Sequence, residues 1–257
     1  MSDWNTEQYL LFKDERSRPI YDLLHRIPMK NPRLILDIGC GPGTSTIPLK
    51  KQYPDAEIIG IDSSPNMIKK ARQACNEITW LLKDAREDIA DLGQFDIVFS
   101  NAVLHWLPDH STLLPRLFDS LSAQGIFAAQ IPYFFGTPIY EPLNALVESI
   151  KWDQYIPAKQ PANYYDVGYY YEILSQCFTV FDIWTTKHTH VLNSTNDILN
   201  WYKSTGFKPF LEQLPTEELR NDFLADISLI IDDLYAPQGD GKYLLRFERL
   251  FLFAQNI

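Results

Sequence analysis

The chain has 257 residues, a formal net charge of −10 and a pI near 4.9. Hydrophobic residues make up 46% of it, which is enough to fill the core of one large α/β domain. The acidic balance and the absence of any Lys/Arg run longer than two residues exclude a nucleic-acid backbone as the expected partner. An anionic ligand would therefore need a local cationic pocket.

Cysteine usage and hydropathy indicate the compartment. The three cysteines, Cys40, Cys75 and Cys177, are odd in number and lack metal-ligand spacing, which favours a reducing environment over a disulfide framework. No N-terminal signal pattern and no apolar run of membrane-spanning length are present. We expect a cytoplasmic protein without a membrane partner, as a monomer or weak homo-oligomer.

The first predicted element, over residues 5–27, is a helix pair or one helix interrupted at Pro19. It contains Tyr9, Arg16 and Arg18. Charged residues on such a segment usually form a solvated face. The alternative is a lid that brings tyrosine and arginine over a bound ligand.

A glycine loop follows the first predicted strand, a short aliphatic run. Asp37 precedes glycines at alternate positions, Gly39, Gly41 and Gly43, and a helix-like segment comes next. A dinucleotide fingerprint would require its third glycine at position 44, where Thr44 stands. A carboxylate at this place would repel a pyrophosphate but would suit a ligand with an ammonium group. S-adenosylmethionine carries such a group and no phosphate.

The second predicted strand, Glu57–Asp62, is buried and ends in an acid. Asp62 lies about 20 residues past the loop, where a carboxylate can accept both ribose hydroxyls. Alternatively, Asp62 caps the helix predicted from Pro65. We assign the adjacent Ser63 to the same ligand, and Met67 either covers the adenine or belongs to the core.

The third predicted strand, over residues 78–82, leads to Asp84 and Ala85. Open α/β sheets bind ligands at the carboxyl ends of their parallel strands, so Asp84 is placed to accept from the adenine amino group, with the Ala85 amide nearby. Taken alone, Asp84 is simply an acid in a loop.

Polar and aromatic residues also follow the fourth predicted strand, residues 95–100. They are Asn101, His105 and Trp106, which we expect in the crevice where the methyl group points, with Asn101 in contact with the cofactor. A lone histidine is usually structural, but the position directly after a strand end favours contact with substrate. Asp109 is predicted to cap a helix that runs to about residue 121.

The second half of the chain alternates less regularly. An aromatic-rich and proline-rich insertion is predicted over about 133–165, with a helix from Glu141 to Trp152, and a second insertion over about 193–241. Most aromatics of the first insertion are expected to pack it on the body of the protein. The further predicted elements are a fifth strand at 126–131, a helix at 166–176, a sixth strand at 178–191, helices around 201 and from 216, and a last strand at 243–254.

Two pairs of residues on the late strands invite functional interpretation. His188 and His190 face one side of the sixth strand, but without further ligands we predict no metal and leave them as partly exposed strand residues. Arg246 and Arg249 point to opposite faces of the last strand, so at most one should enter a pocket.

Together, the Asp37 glycine loop, Asp62, Asp84 with Ala85, and the segment from Asn101 to Trp106 resemble the class I S-adenosylmethionine-dependent methyltransferases over nearly the whole chain. The resemblance implies a Rossmann-like α/β fold with a seven-stranded, mostly parallel sheet in the order 3-2-1-4-5-7-6. It also implies S-adenosylmethionine as cofactor and S-adenosylhomocysteine as product. We expect a single domain over 1–257, with an N-terminal lid at 1–30 and both insertions over the active site.

Several segments resemble more narrowly those members that esterify a carboxylate of a small unsaturated tricarboxylate. The resemblance lies in residues 3–5, 9–12, 15–19, 61–65, 106–110 and 249–251. A carboxylate is already ionised at pH 7, because its reference pKa is roughly 4, so no strong general base is required. An anionic substrate implies bidentate arginines. The candidate substrate residues are Tyr9, Arg16, Arg18, His105, Trp106, Trp152 and Arg249, with His105 as the candidate catalytic residue.

Other functions stay open at this point. A methyltransferase for a hydroxyl, an amine or a carrier-bound thioester acid would use His105 as a base and would not need the arginines. A protein of a different class would sense S-adenosylmethionine without turning it over. A nicotinamide oxidoreductase is disfavoured by Asp37 and by the missing third glycine.

Overall fold

A computed structural model describes residues 13–158, 162–203 and 205–256, with side chains from residue 17 onward. Tyr9 and the side chain of Arg16 lie outside the described part. Within that part, no helix combines the length and the apolar character needed to cross a membrane.

The described strands form a seven-stranded sheet in the order β3-β2-β1-β4-β5-β7-β6, which confirms the predicted order. Strands β1, β2, β3, β4 and β5 pair in parallel, and β7 runs antiparallel to β5. The strands are β1 (Leu34–Ile38), β2 (Glu57–Asp62), β3 (Thr79–Leu82), β4 (Phe95–Asn101), β5 (Leu121–Pro132), β6 (Val180–Leu192) and β7 (Tyr243–Gln255).

Helices connect these strands and build up the second half of the chain. The described helices are α1 (Lys13–Leu24), α2 (Thr46–Gln52), α3 (Pro65–Ala74), α4 (His110–Asp119), α5 (Tyr140–Val147), α6 (Val167–Cys177), α7 (Thr195–Lys203), α8 (Lys208–Leu211) and α9 (Glu217–Leu234). The predicted helix over 141–152 was too long, because the chain leaves the helix after Val147 and continues in turns. Helix α8 was not predicted, and α1 continues through Pro19 without an interruption.

One predicted helix cap, Asp109, was wrong, and the alternative of Asp62 as a cap is excluded as well. Asp109 occupies the N-cap position of α4, but its φ is +54° and its side chain makes no capping hydrogen bond. The cap of α3 is Ser64, whose Oγ accepts from the Met67 amide, and not Asp62.

One face of the sheet packs against the first helices. Alternate residues of the central strands, including Ile35, Ile97 and Ile126, share a buried cluster with Leu23 of α1 and Leu49 of α2. Because side chains alternate along a strand, Asp37 of β1 lies on the same face as Ile35. The apolar face thus ends at a carboxylate beside the glycine loop.

The chain divides into two compact units. One contains residues 14–132, 163–186 and the chain from Arg249 onward, and so includes β1 to β5 with their helices. The other contains 133–162 and 187–248, with α5, α7, α8 and α9. Within this second unit α7 packs on α9.

Candidate active site

The loop after β1 has the backbone geometry that its glycines predict. Gly39, Gly41 and Gly43 have φ values of +65°, +55° and +91°, in the left-handed region that side chains disfavour. A Cβ at Gly39 would collide with the Val103 side chain. At Gly41 a Cβ would meet nothing within 4 Å, so the backbone there is open to an approaching ligand.

Asp37 is fully buried below this loop. Its Oδ2 accepts from the hydroxyls of Ser45 at 2.7 Å and Thr46 at 2.6 Å. Its Oδ1 has no hydrogen-bond partner among the described residues. Burial raises the pKa of Asp37 to about 7, because the charged form is poorly solvated there. A cation arriving at Oδ1 would stabilise the carboxylate.

Asp62 holds the glycine loop to the end of β2. Its Oδ2 accepts from the Gly41 amide at 2.9 Å, and its Oδ1 accepts from the Ser64 amide at 2.8 Å. These two bonds fix the orientation of the Asp62 carboxylate at the end of β2. Ser63 is exposed, and Met67 is 4% exposed in the first turn of α3.

Asp84 is paired within its own loop after β3. The Arg86 guanidinium donates to both carboxylate oxygens, the shortest contact being 2.6 Å, and this interaction lowers the pKa of Asp84. Arg116 of α4 donates to the carbonyls of Ala85 and Arg86 at 2.8 and 2.6 Å. These bonds fix the backbone around Ala85, the predicted adenine contact, before any ligand is present.

The end of β4 contains a strained turn. Asn101 places its Oδ1 in a buried position without a partner among the described residues. Ala102, which follows it, has a φ of +57°, a conformation that costs a residue with a side chain about 1–3 kcal/mol. The Ala102 amide donates to the Gln130 carbonyl at 2.8 Å. This turn directs the segment up to Trp106 away from the strand.

His105 lies in a short 3-10 turn, Leu104–Trp106, and is 3% exposed. Its ring stacks on Tyr164, with centroids 5.5 Å apart, and lies 4.4 Å from the ring of Trp106. Its Nδ1 has no hydrogen-bond partner among the described residues. Burial and the neighbouring Arg249 charge lower the pKa of His105 to about 3. The imidazole is therefore neutral at pH 7 and a weak base.

A second histidine, His110, fixes this turn from α4. Its Nε2 lies 2.8 Å from the Leu104 carbonyl and its Nδ1 lies 3.0 Å from the Tyr170 hydroxyl. Because a carbonyl only accepts, the proton belongs on Nε2, and the Tyr170 hydroxyl donates to Nδ1. His110 thus holds the residue preceding His105.

Arg249 supplies a buried positive charge to this region. It is 6% exposed, and it stands opposite Pro132 in the β5–β7 ladder. Its charge acts on both His105 and Tyr164. Burying a guanidinium is costly unless an anion or acceptors meet it. Arg246 is exposed on the same strand, and Arg18 is exposed on α1, so the described structure places Arg249 alone of these three in the interior.

Trp152 belongs to the interior of the second unit. It is fully buried, its indole N–H donates to Asp226 Oδ2 at 2.8 Å, and its ring packs edge-on against Phe223. The polar atom is already satisfied and the ring is enclosed. We therefore withdraw Trp152 from the proposed substrate contacts, in line with the packing role expected for most aromatics of this insertion.

The late histidines show no metal-site geometry. Within the described residues, no group of three or more His, Cys, Asp or Glu side chains could hold a metal ion. His188 is partly exposed, whereas His190 is 1% exposed, and its ring packs 4.5 Å from Trp201. The expectation that both would be partly exposed was wrong for His190, because α7 covers it.

Sequence reasoning missed several residues of the site. Tyr164 was treated as one more packing aromatic of the insertion, and no periodicity distinguishes it. Arg116 falls within a predicted helix, and His110 within the segment 106–110 of the family resemblance, but neither was named as a site residue. Gln130 could have been noticed, because it interrupts an otherwise apolar strand with an amide.

Comparisons with known proteins agree with this geometry. A family model described as "Methyltransferase domain" matches residues 35–125. A trans-aconitate 2-methyltransferase of Methylobacterium radiotolerans is 39% identical over 260 residues, covering 100% of this chain and 99% of that protein. The protein of the same name from Escherichia coli K12 is 39% identical over 257 residues and covers 100% of both chains.

Among solved structures, a phosphoethanolamine N-methyltransferase of Haemonchus contortus, in complex with phosphomonomethylethanolamine and S-adenosylhomocysteine, superposes with a TM-score of 0.55. Its sequence identity is 16%, and the match covers 93% of this chain and 52% of that one. This likeness concerns the fold.

The strand order, the glycine loop and the acids near the carboxyl ends of β1, β2 and β3 define a class I, S-adenosylmethionine-dependent methyltransferase. The 39% identity to two relatives over the full length of the chain narrows this class to one family. The chain belongs to the trans-aconitate 2-methyltransferase family.

Proposed function

We propose that this protein transfers the methyl group of S-adenosylmethionine to a carboxylate of a small polycarboxylic acid, forming its monomethyl ester. Trans-aconitate is the first candidate acceptor, because it is the substrate named for the full-length relatives. The observation that carries the proposal is the buried Arg249 charge beside a histidine that stays neutral at pH 7.

The residues of the first unit fit S-adenosylmethionine. Asp37 offers an unpartnered carboxylate oxygen for the ammonium group, and the open backbone at Gly41 admits the ligand. Asp62 lies at the carboxyl end of β2, where a carboxylate suits the ribose hydroxyls, and the fixed backbone around Ala85 suits the adenine. When bound, the cofactor supplies an electrophilic methyl group on a sulfonium.

The state of His105 favours a carboxylate acceptor over a hydroxyl or an amine. A hydroxyl or an amine requires a base whose pKa is near neutrality and which lies close to the proton that it removes. A histidine with a pKa of about 3 is a weak base, whereas a carboxylate is ionised without help. We assign His105 to the acceptor pocket as a neutral polar group that orients the acid.

The remaining contribution of the protein is to position the acid relative to the methyl group. Arg249 binds a carboxylate of the acid, and the buried Oδ1 of Asn101 and the buried His105 replace the water around it with fixed dipoles. Holding the reacting groups in line in this way lowers a barrier by up to about 7–11 kcal/mol. Trp106, partly buried beside His105, borders the same pocket.

The test is turnover of S-adenosylmethionine with a panel of tri-, di- and monocarboxylic acids, and with the triamide of the best acid as matched control. We expect methyl incorporation that is released by mild base, as an ester is, and no turnover of the amide. Base-stable methyl products from a hydroxyl or amine acceptor would overturn the proposal. Binding of S-adenosylmethionine without turnover on any acid would support a sensor instead.

We further propose that the enzyme works in a reducing compartment, the cytoplasm. Cys40, Cys75 and Cys177 are all free thiols in the structure, and Cys177 is exposed. Fractionation of cells that produce the tagged full chain should recover it with soluble cytoplasmic markers. Recovery with membranes or with an oxidising compartment would contradict this placement.

A further inference from the structure

Gln130, near the end of β5, is a buried amide that the mechanism above does not use. It is 0% exposed, and neither Oε1 nor Nε2 has a hydrogen-bond partner among the described residues. Buried polar side chains are nearly always paired, and leaving one unpaired lowers stability. An amide kept in this state therefore indicates a ligand that completes it.

The sheet register places Gln130 on the ligand-binding face. Asp37 stands opposite Phe99 of β4, which stands opposite Ala128 of β5, and directly opposite residues point to the same face. Two residues further along, the Asn101–Gln130 pair points to that face again. Gln130 thus lies on the side of the sheet that contains the unpartnered oxygen of Asp37.

Arg249 continues the same face on the next strand. Gln130 stands opposite Phe251, and Arg249 stands opposite Pro132, two residues along both strands. Two residues of a strand span roughly 6.6 Å, and neighbouring strands lie about 4.8 Å apart. The side chains of Arg249 and Gln130 are therefore diagonal neighbours. A small anion that lies between their polar ends is within reach of both.

A diagonal line of polar residues results, which crosses four neighbouring strands. It begins with the acid on β1, passes the two amides on β4 and β5, and ends with the arginine on β7. The acid suits the ammonium end of the cofactor, and the arginine suits the anionic acceptor. Of the two amides, Asn101 lies nearer the glycine loop and Gln130 lies nearer Arg249.

We propose that Gln130 is a substrate-binding residue, whose Nε2 donates to a carboxylate of the methyl acceptor beside Arg249. This inference rests on the proposed function, since it requires an acceptor that carries a carboxylate. Arg249 supplies the positive charge, and the Gln130 amide adds a hydrogen bond with a defined direction. This hydrogen bond fixes which oxygen of the acid faces the methyl group.

The first experiment uses Gln130→Met, which keeps the length of the side chain and removes both polar atoms. The Kd of the acid for the complex of the enzyme with S-adenosylhomocysteine is measured by calorimetry, and the Tm without ligands by thermal melting. We expect a roughly tenfold to hundredfold rise in that Kd, as for a hydrogen bond to a charged group. The Tm should equal or exceed that of the wild type, because an unsatisfied buried amide is gone.

Gln124→Met, at an exposed position of the same strand, is the matched control and should change neither quantity. A lower Tm for Gln130→Met with unchanged acid binding would assign Gln130 a structural role and overturn the proposal. Weaker binding of S-adenosylhomocysteine itself would place the amide at the cofactor and overturn it as well.

A second variant, Gln130→Glu, keeps the shape and replaces the donor by a carboxylate. Repulsion should abolish acid binding, whereas a cofactor ammonium would be bound at least as well, so the two assignments predict opposite results. If this variant does not fold, Gln130→Met decides alone. Failure of the proposed function is recognised separately, because the wild type would then bind no polycarboxylate at all.

Discussion

The cofactor end and the acceptor end of the sheet are organised in different ways. At the cofactor end, around the glycine loop and Asp84, most polar groups have partners within the chain: Asp62 accepts from the Ser64 amide and Asp84 accepts from Arg86. The exception is Asp37 Oδ1, which has no partner among the described residues. At the acceptor end, His105, Gln130 and Arg249 come from distant parts of the chain. There, the Nδ1 of His105 and both amide atoms of Gln130 lack partners among the described residues.

This difference indicates how each end recognises its ligand. Local hydrogen bonds shape the cofactor loop before binding, so little ordering remains to be done when the ligand arrives. At the acceptor end, buried polar atoms lack hydrogen-bond partners, and only a ligand with matching acceptors and donors supplies those partners. We therefore expect acceptor selectivity to depend on the acceptor end, and cofactor affinity to be insensitive to changes there.

The largest effect should come from Arg249→Met. Removing the buried guanidinium deprives the acid of its charge partner, and truncating one side of such a pair costs about 2–5 kcal/mol. We expect kcat/KM for the acid to fall about 10²- to 10³-fold, while the Kd of S-adenosylhomocysteine stays within about twofold. Arg246→Met, exposed on the same strand, is the control. A loss below threefold would break the proposed division between the ends.

The counterpart at the cofactor end is Asp37→Asn. Loss of the charge opposite the ammonium group should raise the Kd of S-adenosylhomocysteine about 10- to 100-fold, as for other charge-assisted hydrogen bonds. The Tm without ligand at pH 8 should rise, because the ionised carboxylate is disfavoured by burial. Asp55→Asn, at an exposed site, serves as control. Unchanged cofactor affinity would refute the role of Asp37.

Cofactor binding should also depend on pH through the same carboxyl group. With a pKa of about 7, Asp37 is protonated below neutrality, and binding of an ammonium requires it to ionise. We expect the Kd of S-adenosylhomocysteine to rise as pH falls from 7.5 to 5.5, by up to about tenfold per pH unit. Calorimetry at these pH values should show proton release, and Asp37→Asn should flatten the profile.

The pH dependence of stability has the opposite sign to the pH dependence of cofactor binding. The pKa of Asp37 is raised from 3.8 to about 7 in the folded chain, so its contribution to the stability of the ligand-free protein is full below pH 3.8. That contribution is lost as pH rises towards 7. Melting curves of the wild type and of Asp37→Asn should therefore diverge with increasing pH, and parallel curves would contradict the raised pKa.

A smaller effect is expected for His105→Gln. If His105 is a neutral orienting group, an amide of similar reach should retain its hydrogen bonding, and kcat should fall by about tenfold or less. A general base would give a loss of about 10²–10⁴. A catalytic base would also give the wild type a descending limb in its kcat profile between pH 7 and 5.5, and this limb would be absent from the variant. We expect no such limb. Either a large loss or such a limb would favour the hydroxyl or amine acceptor.

The smallest change is expected for Arg86→Ala. Arg86 is exposed, and its ion pair with Asp84 contributes little because it is screened by solvent. Freeing Asp84 should alter the Kd of S-adenosylhomocysteine by only about two- to threefold. Arg116 instead holds the Ala85 and Arg86 carbonyls directly, so Arg116→Met is the comparison that should have the larger effect.

The cofactor end could be predicted from the sequence because its pattern is local. Glycine spacing fixes backbone conformation, and Asp62 and Asp84 follow strands whose carboxyl ends must meet at one edge. The strand order followed from the family resemblance, not from periodicity. Predicted bounds failed mainly where turns replace helix, as after Val147; the alternative cap Asp62 lies two residues before the observed cap, Ser64.

The acceptor end could be predicted only in part. Arg249 was a candidate because residues 249–251 belong to the family resemblance and an anionic substrate implies arginines. Arg246 and Arg249 lie three residues apart on one strand and so face opposite sides, but this spacing alone could not show which one is buried. The pairing of Tyr164 with His105 and the alignment of Gln130 with Asn101 depend on sheet register and on chain segments far apart. No local pattern encodes such juxtapositions. Asp109 failed as a cap because its backbone adopts a left-handed conformation.

The antiparallel direction of β7 has a consequence for how such enzymes can diverge. It allows a residue close to the end of the chain to reach the edge where the parallel strands finish, opposite Pro132. Arg249 thereby lies outside the segment 35–125 that the general methyltransferase domain shares. Under the proposed role of Arg249, substitutions confined to β7 would change the preferred acceptor while the glycine loop proposed to bind S-adenosylmethionine stays the same.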